Sequence, residues 1–290
     1  MKENTNKNWK FKIKKKWQFI VRLVTEFIDI DPFLHSASIS FYTLFSLPAV
    51  LFIMVQIAGY FWGQEAVSSQ LYDQINEVVG NKAATTIQDI LKNVEAVKSN
   101  IWSTILSVGV LLIGTTTVFI SIQKGLNAIW DVKPKIQNNI LIIIYDRLRS
   151  FTTVVALGFL IVVSLISDTV LLLLIDNLKK LFPDMAIYII QLLNWFLSLF
   201  LTALMFSYIF VVLPYAKIGW KNGLYGGILT SILFFIGRYL ISIYITTTNL
   251  DTTYGAAGSL VLILVWVYYS SLILLLGGKI TEMKFMKKDI

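Results

Sequence analysis

Along this chain, long apolar windows alternate with short stretches dense in charge. Six windows stand out: Ser36–Trp62, Ile101–Gln123, Ser150–Ile175, Ala186–Leu213, Asn222–Ile245 and Ala256–Lys279. Crossing ~30 Å of hydrocarbon takes about 20 residues of helix, which each window supplies. A segment facing lipid must satisfy its own backbone, and the alternating strands of a closed barrel do not appear. The pattern predicts an all-α fold, a polytopic membrane helical bundle of six transmembrane helices within residues 36–280.

The stretches between windows are patterned too. In "WQFIVRLVTEFIDI" (17–30), Gln18, Arg22, Glu26 and Asp29 share one helical face, while Trp17, Ile20, Val21, Val24, Phe27 and Ile28 point the other way. With lysines just upstream, residues 1–35 are expected to form a basic cytoplasmic arm and an interfacial amphipathic helix in the headgroup layer; the alternative is an ordinary soluble docking helix. Asp31 is expected to cap the next helix, with Pro32 in its first turn. Residues 63–100 form the largest extramembrane stretch. Leu71, Ile75, Val78 and Val79, then Ile87, Ile90, Leu91, Val94 and Val97, recur at helical spacing on either side of Gly80-Asn81. That predicts a helical hairpin as the outer loop. Residues 281–290 read as a basic cytoplasmic tail.

Composition sharpens the class. The chain of 290 residues is 56% hydrophobic and only 14% charged, with a mean hydropathy of +0.71. Soluble domains carry about 25% charged residues. With no cysteine, disulfides and thiolate metal sites are excluded. The start, "MKENTNKNWKFKIKKKWQFI", has no small-residue cleavage site closing a short apolar run, so the first window is expected to insert and remain.

The net charge of +8 is mainly a topology signal. Lysine and arginine crowd the N-terminal arm (Lys2 to Arg22) and the second connection (Lys124, Lys133, Lys135, Arg147, Arg149). They recur in the fourth connection (Lys217, Lys221) and the tail (Lys279, Lys284, Lys287, Lys288). The opposite side holds Lys82, Lys92, Lys98, Lys179 and Lys180. Positive residues stay in the cytoplasm. Both termini of a multi-pass plasma-membrane protein are therefore expected there. Membrane lipids are the expected partners, with anionic headgroups at the basic face; because the excess sits beside the windows, nucleic acid is not expected.

One cation breaks the pattern. Arg238, in "ILFFIGRYLISIYI" (232–245), sits inside the fifth window, about 25 Å past Lys221 along a straight helix. Asp168, in "FLIVVSLISDTVLLLL", lies at nearly the same height in the third. Charges in hydrocarbon are costly and turn towards the bundle interior or a water-filled path. Arg238 and Asp168 are thus a candidate pair on a substrate pathway; the alternative is that Arg238 snorkels to the headgroups. Tyr42, Gln56, Gln191, Asn194, Tyr239 and Tyr268 are further candidates to line that pathway. Gly223, Gly226 and Gly227 would let helices approach closely. Pro48 and Pro214 are expected to kink or end their helices. Trp130 is expected to be an interfacial anchor.

Several stretches carry a family likeness: "FYTLFSLPAV" (41–50), "GLNAIWDV" (125–132), "LPYAKIGWKNGLYGG" (213–227) and "YGAAGSLVLILVWVYYSSLILLLGGKI" (254–280). The chain resembles the YihY/BrkB family of multi-pass inner-membrane proteins, some once labelled ribonuclease BN, from about residue 20 to 285. The positions that carry the resemblance are Gly125, Leu126, Asn127, Ile129, Trp130, Pro214, Tyr254, Gly255, Gly258, Trp266, Tyr268, Tyr269 and Gly277. It implies six spans with cytoplasmic termini and, at family level, transport of an amphiphile. Two departures stand out: Pro48 falls one position early, and Gly278-Lys279 stands where the resemblance implies Ala-Glu.

The residues themselves test the ribonuclease label. Metal-dependent nucleases need clustered histidines and carboxylates to activate water. Here there is one histidine, His35, and the carboxylates are scattered. "GLYGG" lacks the Lys-Ser/Thr of a nucleotide loop, so ATP-driven pumping within the chain is excluded as well. No cofactor or metal is implied, and the chain does not read as an enzyme. Two functions remain: a transporter or flippase of a lipid-like or other amphiphilic molecule, an anionic one among the candidates, or a structural membrane protein for envelope assembly or partner docking. A polar cavity open to lipid would favour transport, and a tightly packed bundle would favour scaffolding. Whether the chain forms a homo-oligomer is not legible in its residues.

Overall fold

The computed structural model describes residues 2–63, parts of 65–89, and residues 101–133, 139–181, 186–248 and 258–285. Side chains are described mainly within 14–46, 114–133, 140–164, 188–241 and 258–284. Among the described residues there are helices and turns and no strand. The long helices are α1 (Lys2–Ile28), α2 (Pro32–Trp62), α3 (Ile101–Ile129), α4 (Asn139–Leu181), α5 (Ala186–Val212), α6 (Trp220–Thr248) and α7 (Gly258–Phe285). Each apolar window corresponds to a helix, but the helices overrun the windows. α3 continues beyond Gln123 and α4 begins well before Ser150. Polar residues there stay helical because their side chains find buried partners.

Two aspartates in the left-handed region end helices. After α3, Asp131 has φ 50°, its amide bonds to the Ala128 carbonyl at 3.3 Å, and the Val132 amide bonds to Asn127 at 3.0 Å. These are the paired bonds of a Schellman turn, with aspartate in the place glycine usually takes. After α1, Asp31 has φ 52° and its amide reaches the Ile28 carbonyl at 3.0 Å. The second bond is missing because the next residue, Pro32, has no amide hydrogen. Asp31 does not cap α2 through its side chain, contrary to expectation; its carbonyl accepts from Leu34 at 3.1 Å and His35 at 3.2 Å. Pro32 occupies the first turn as expected. α2 runs through Pro48, whereas α5 stops just before the buried Pro214.

Among the described residues, three helices are long and apolar enough to cross a membrane: Tyr188–Val212, Trp220–Ile241 and Leu260–Lys284. They fall in the last three windows. α2 to α7 close a ring in chain order, each packing on the next and α7 returning to α2, while α3 also touches α7 and α1 leans on α7. Glycines set the spacing on two sides of α6. A side chain at Gly223 or Gly227 would strike Val211 or Ser207 of α5, and one at Gly226 would strike Thr281 of α7. Gly277 of α7 gives the same room to Thr230. Without a hydrophobic drive between helices in lipid, such close backbone approach is what holds them. The close contact expected of Gly223, Gly226 and Gly227 is therefore present.

The described core lies at the end of the bundle near the first residues of α2 and the last of α7, called here the basic end. Leu126, Phe210 and Leu213 are fully buried there beside Ile129, Trp130 and Leu275. Trp130 is not an interfacial anchor. It is buried, donates from Nε1 to the Gly278 carbonyl at 3.2 Å, and meets Phe210 edge-on at 6.0 Å. Buried indole needs such an acceptor. Of the expected outer hairpin, residues 84–89 are helical with Ala84 and Ile87 buried. Ile75, Val78, Val79 and the stretch from Ile90 to Val97 lie outside the described residues.

Candidate functional site

At the basic end a polar clasp ties three parts of the chain together. Gln123 of α3, almost fully buried, donates from Nε2 to Asp146 Oδ1 of α4 at 3.1 Å. The same oxygen accepts the hydroxyl of Tyr215, in the α5–α6 connection. The Tyr215 amide donates to Asn127 Oδ1 at 2.9 Å, which pins that connection to α3. Burial, followed by the bond to Asp146, pushes the Tyr215 hydroxyl well above the ordinary phenol range, so it remains a donor. Arg147 reaches from α4 to the hydroxyls of Thr116 and, at 3.2 Å, Thr117 of α3. The Arg149 guanidinium lies 5.5 Å from the Tyr145 ring centre and 5.9 Å from that of Tyr215. A buried amide or carboxylate is costly when unpaired, so these groups fix one arrangement of α3, α4 and the connection.

A second cluster accounts for the lysine that departs from the family pattern. Lys279 of α7 is buried, and its Nζ lies 2.8 Å from Glu26 of α1 and against Glu282 one turn on. Arg22 closes on Glu26 from the exposed side. The bond to Lys279, helped by Arg22, holds the Glu26 carboxyl down to about 2. Lys279 is thus the seat of α1.

Towards the first residues of α5, exposed side chains predominate among those described. Residues 191–196 of α5 are all exposed, a run longer than one helical turn, so no face of the helix is closely covered there. Gln191 and Asn194 belong to this run. α5 and α6 run antiparallel, with Gly223 beside Val211 and Gly227 beside Ser207. Continuing that register brings Arg238 to about the level of Phe196, the last residue of the run. Arg238 is half-buried with interactions of its own, Tyr239 is exposed, and Tyr268 is half-buried. Gly237 lies against Tyr269 and Ile273 of α7. Tyr42 is exposed on α2, edge-on to Phe41. Asn194 is thus about half a turn, and Gln191 more than a turn, from the level of Arg238. The side chains of Asp168 and Gln56 lie outside those described, as do Tyr254 and Gly255. Among the described residues, no group of three or more His, Cys, Asp and Glu is placed to hold a metal.

A family model described as "Virulence factor BrkB" matches residues 23–288. The chain belongs to the BrkB family. Among its relatives is a UPF0761 membrane protein of Psychromonas ingrahamii, 26% identical over 88% of this chain and 83% of that one. A ribonuclease-like protein of Bacillus subtilis, YfkH, is 25% identical over 88% of this chain and 90% of its own length. A UPF0761 membrane protein of Legionella pneumophila strain Corby is 24% identical over 94% of this chain, which spans 64% of that relative. No solved structure matches.

The positions on which the resemblance is read are mostly packing positions. Gly125 faces Leu275 at 2.9 Å from where a Cβ would stand. Leu126, Ile129 and Trp130 are core, Asn127 is a clasp member, Pro214 and Gly258 are buried, and Gly277 receives Thr230. Trp266 is edge-on to Phe234 at 6.1 Å. Sequence reasoning missed Asp146, Tyr215 and the role of Lys279. The signal for Asp146 was present: Asp146, Ser150, Thr153 and Leu157 recur along one side of α4, and Ser150, Thr153 and Leu157 are buried. Placing 139–149 in a loop concealed that helical stripe.

Proposed function

We propose that this BrkB-family chain spans the plasma membrane six times with both termini in the cytoplasm, and transports or flips a lipid-like, anionic amphiphile. In this reading residues 1–35 are the interfacial arm, 36–280 the membrane domain and 281–290 the cytoplasmic tail. The observation that carries it is the exposed run 191–196, whose end lies level with Arg238. A headgroup passing there would meet the guanidinium and the amides of Gln191 and Asn194. Its tails would stay against exposed Leu192, Trp195 and Phe196. A charge carried through hydrocarbon alone faces a large desolvation cost, which such polar contacts offset. Asp168, Gln56, Tyr42, Tyr239 and Tyr268 complete the proposed pathway, and the clasp at the basic end closes its cytoplasmic side.

The test is reconstitution in liposomes with fluorescent anionic and zwitterionic lipids, reading movement between leaflets by quenching from outside. Arg238→Gln is expected to slow the anionic lipid about tenfold, the equivalent of ~1.4 kcal/mol, and the zwitterionic lipid much less. If the folded wild-type protein moves neither lipid, the flippase reading fails.

A further inference from the structure

Sequence periodicity gives α1 two sides; the structure gives it three. Phe19, Leu23, Glu26, Phe27 and Ile30 are half-buried, Phe27 and Ile30 packing on the core and Glu26 bonding to Lys279. Gln18, Arg22, Thr25 and Asp29 form an exposed polar side about a third of a turn away. Trp17, Ile20, Val21, Val24 and Ile28 form the remaining side, apolar yet 44–66% exposed. One side thus lies on the bundle and one suits water, while the third is left exposed among the described residues.

We propose that an anionic bilayer surface covers this third side, with α1 lying along the membrane as a strap whose angle to the bundle is fixed by Glu26 and Lys279. Charge selects the occupant. Residues 1–16 hold Lys2, Lys7, Lys10, Lys12, Lys14, Lys15 and Lys16 against a single acid, Glu3. Two such arms laid together would repel, which disfavours a second copy of the chain, whereas anionic headgroups attract each lysine near the surface. Phe33 and Leu34, at the start of α2, are also apolar and exposed. A helix with an apolar side, a polar side and upstream lysines has the make-up of an interfacial helix. The inference rests on the membrane placement proposed above for residues 1–35, but not on what the bundle transports.

The absence of cysteine makes the full-length protein directly testable. Single nitroxides are placed at Val21→Cys on the apolar side and Gln18→Cys on the polar side, in nanodiscs of phosphatidylcholine with or without phosphatidylglycerol. In anionic discs, position 21 is expected to favour oxygen over a water-soluble nickel relaxant by several-fold relative to position 18. That contrast should shrink in phosphatidylcholine alone, in high salt, and in a Lys14→Gln/Lys15→Gln/Lys16→Gln background. Equal water access at both positions in anionic discs overturns the proposal. Equal insertion without anionic lipid overturns the role given to charge. A short distance between position-21 labels on two copies, independent of lipid, would assign the stripe to a dimer instead.

Discussion

Replacing Gly227 with alanine probes the packing that sets the shape of the bundle. A Cβ at that position lies 2.8 Å from the Ser207 amide nitrogen and closer still to Ser207 Oγ and the Ala203 carbonyl oxygen. The hydroxyl can rotate away, but the two backbone atoms of α5 cannot. Comfortable carbon–oxygen contacts lie at about 3.3–3.6 Å, so α5 and α6 must part locally by about 1 Å. A gap of 0.5–1 Å forfeits about a quarter to a half of each dispersion contact. Overpacking of this kind costs about 1–3 kcal/mol. Gly158 of α4 is the control, because nothing lies within 4 Å of its Cβ position. There alanine should be neutral or gain up to about 1 kcal/mol from helix propensity. The assay is unfolding of the purified protein in mixed micelles by added SDS, followed by tryptophan fluorescence and helical dichroism. The midpoint should fall for Gly227→Ala and hold or rise for Gly158→Ala. Indistinguishable midpoints for the two variants would refute the packing argument.

Four further outcomes follow from the clusters at the basic end. Lys279→Met leaves Glu282 nearly buried without its cation and should cost about 3 kcal/mol, whereas Glu26→Gln removes a more exposed leg and should cost about 1 kcal/mol or less; equal losses in the SDS titration would contradict the seat assigned to Lys279. The Glu26 carboxyl is held below its usual 4.5, down to about 2, so its contribution to docking α1 is complete above 4.5 and disappears as pH falls towards 2; a label on α1 should loosen over that window in the wild type but not in Glu26→Gln. Asp146→Leu strands the Gln123 amide and the Tyr215 hydroxyl and should cost about 2–4 kcal/mol, against about 1 kcal/mol for Tyr215→Phe, with the same denaturation reading both. Trp130→Phe keeps an aromatic ring against Phe210 but loses the donor to Gly278; a loss of about 1 kcal/mol is expected, with indole fluorescence confirming the substitution.

The sequence by itself determined what depends on local pattern and solvent preference. Apolar windows of bilayer length fixed the helices, since a backbone facing lipid has no partner but itself. The family stretches, the turn before Pro32 and the glycines of α6 were legible because each requirement sits within a few neighbouring residues. Only the tertiary structure decided how polar residues are used. Trp130 reads as an anchor until Gly278, far along the chain, supplies a carbonyl within reach. Lys279 reads as a basic tail residue until α1 folds back and brings Glu26 to it. Asp146 reads as loop until Gln123 and Tyr215 converge on one of its oxygens. A charged or amide side chain gains or loses several kilocalories according to what surrounds it, and those surroundings are assembled from distant segments. The hydrophobic rule acts residue by residue, but the pairing of polar groups exists only once helices have packed.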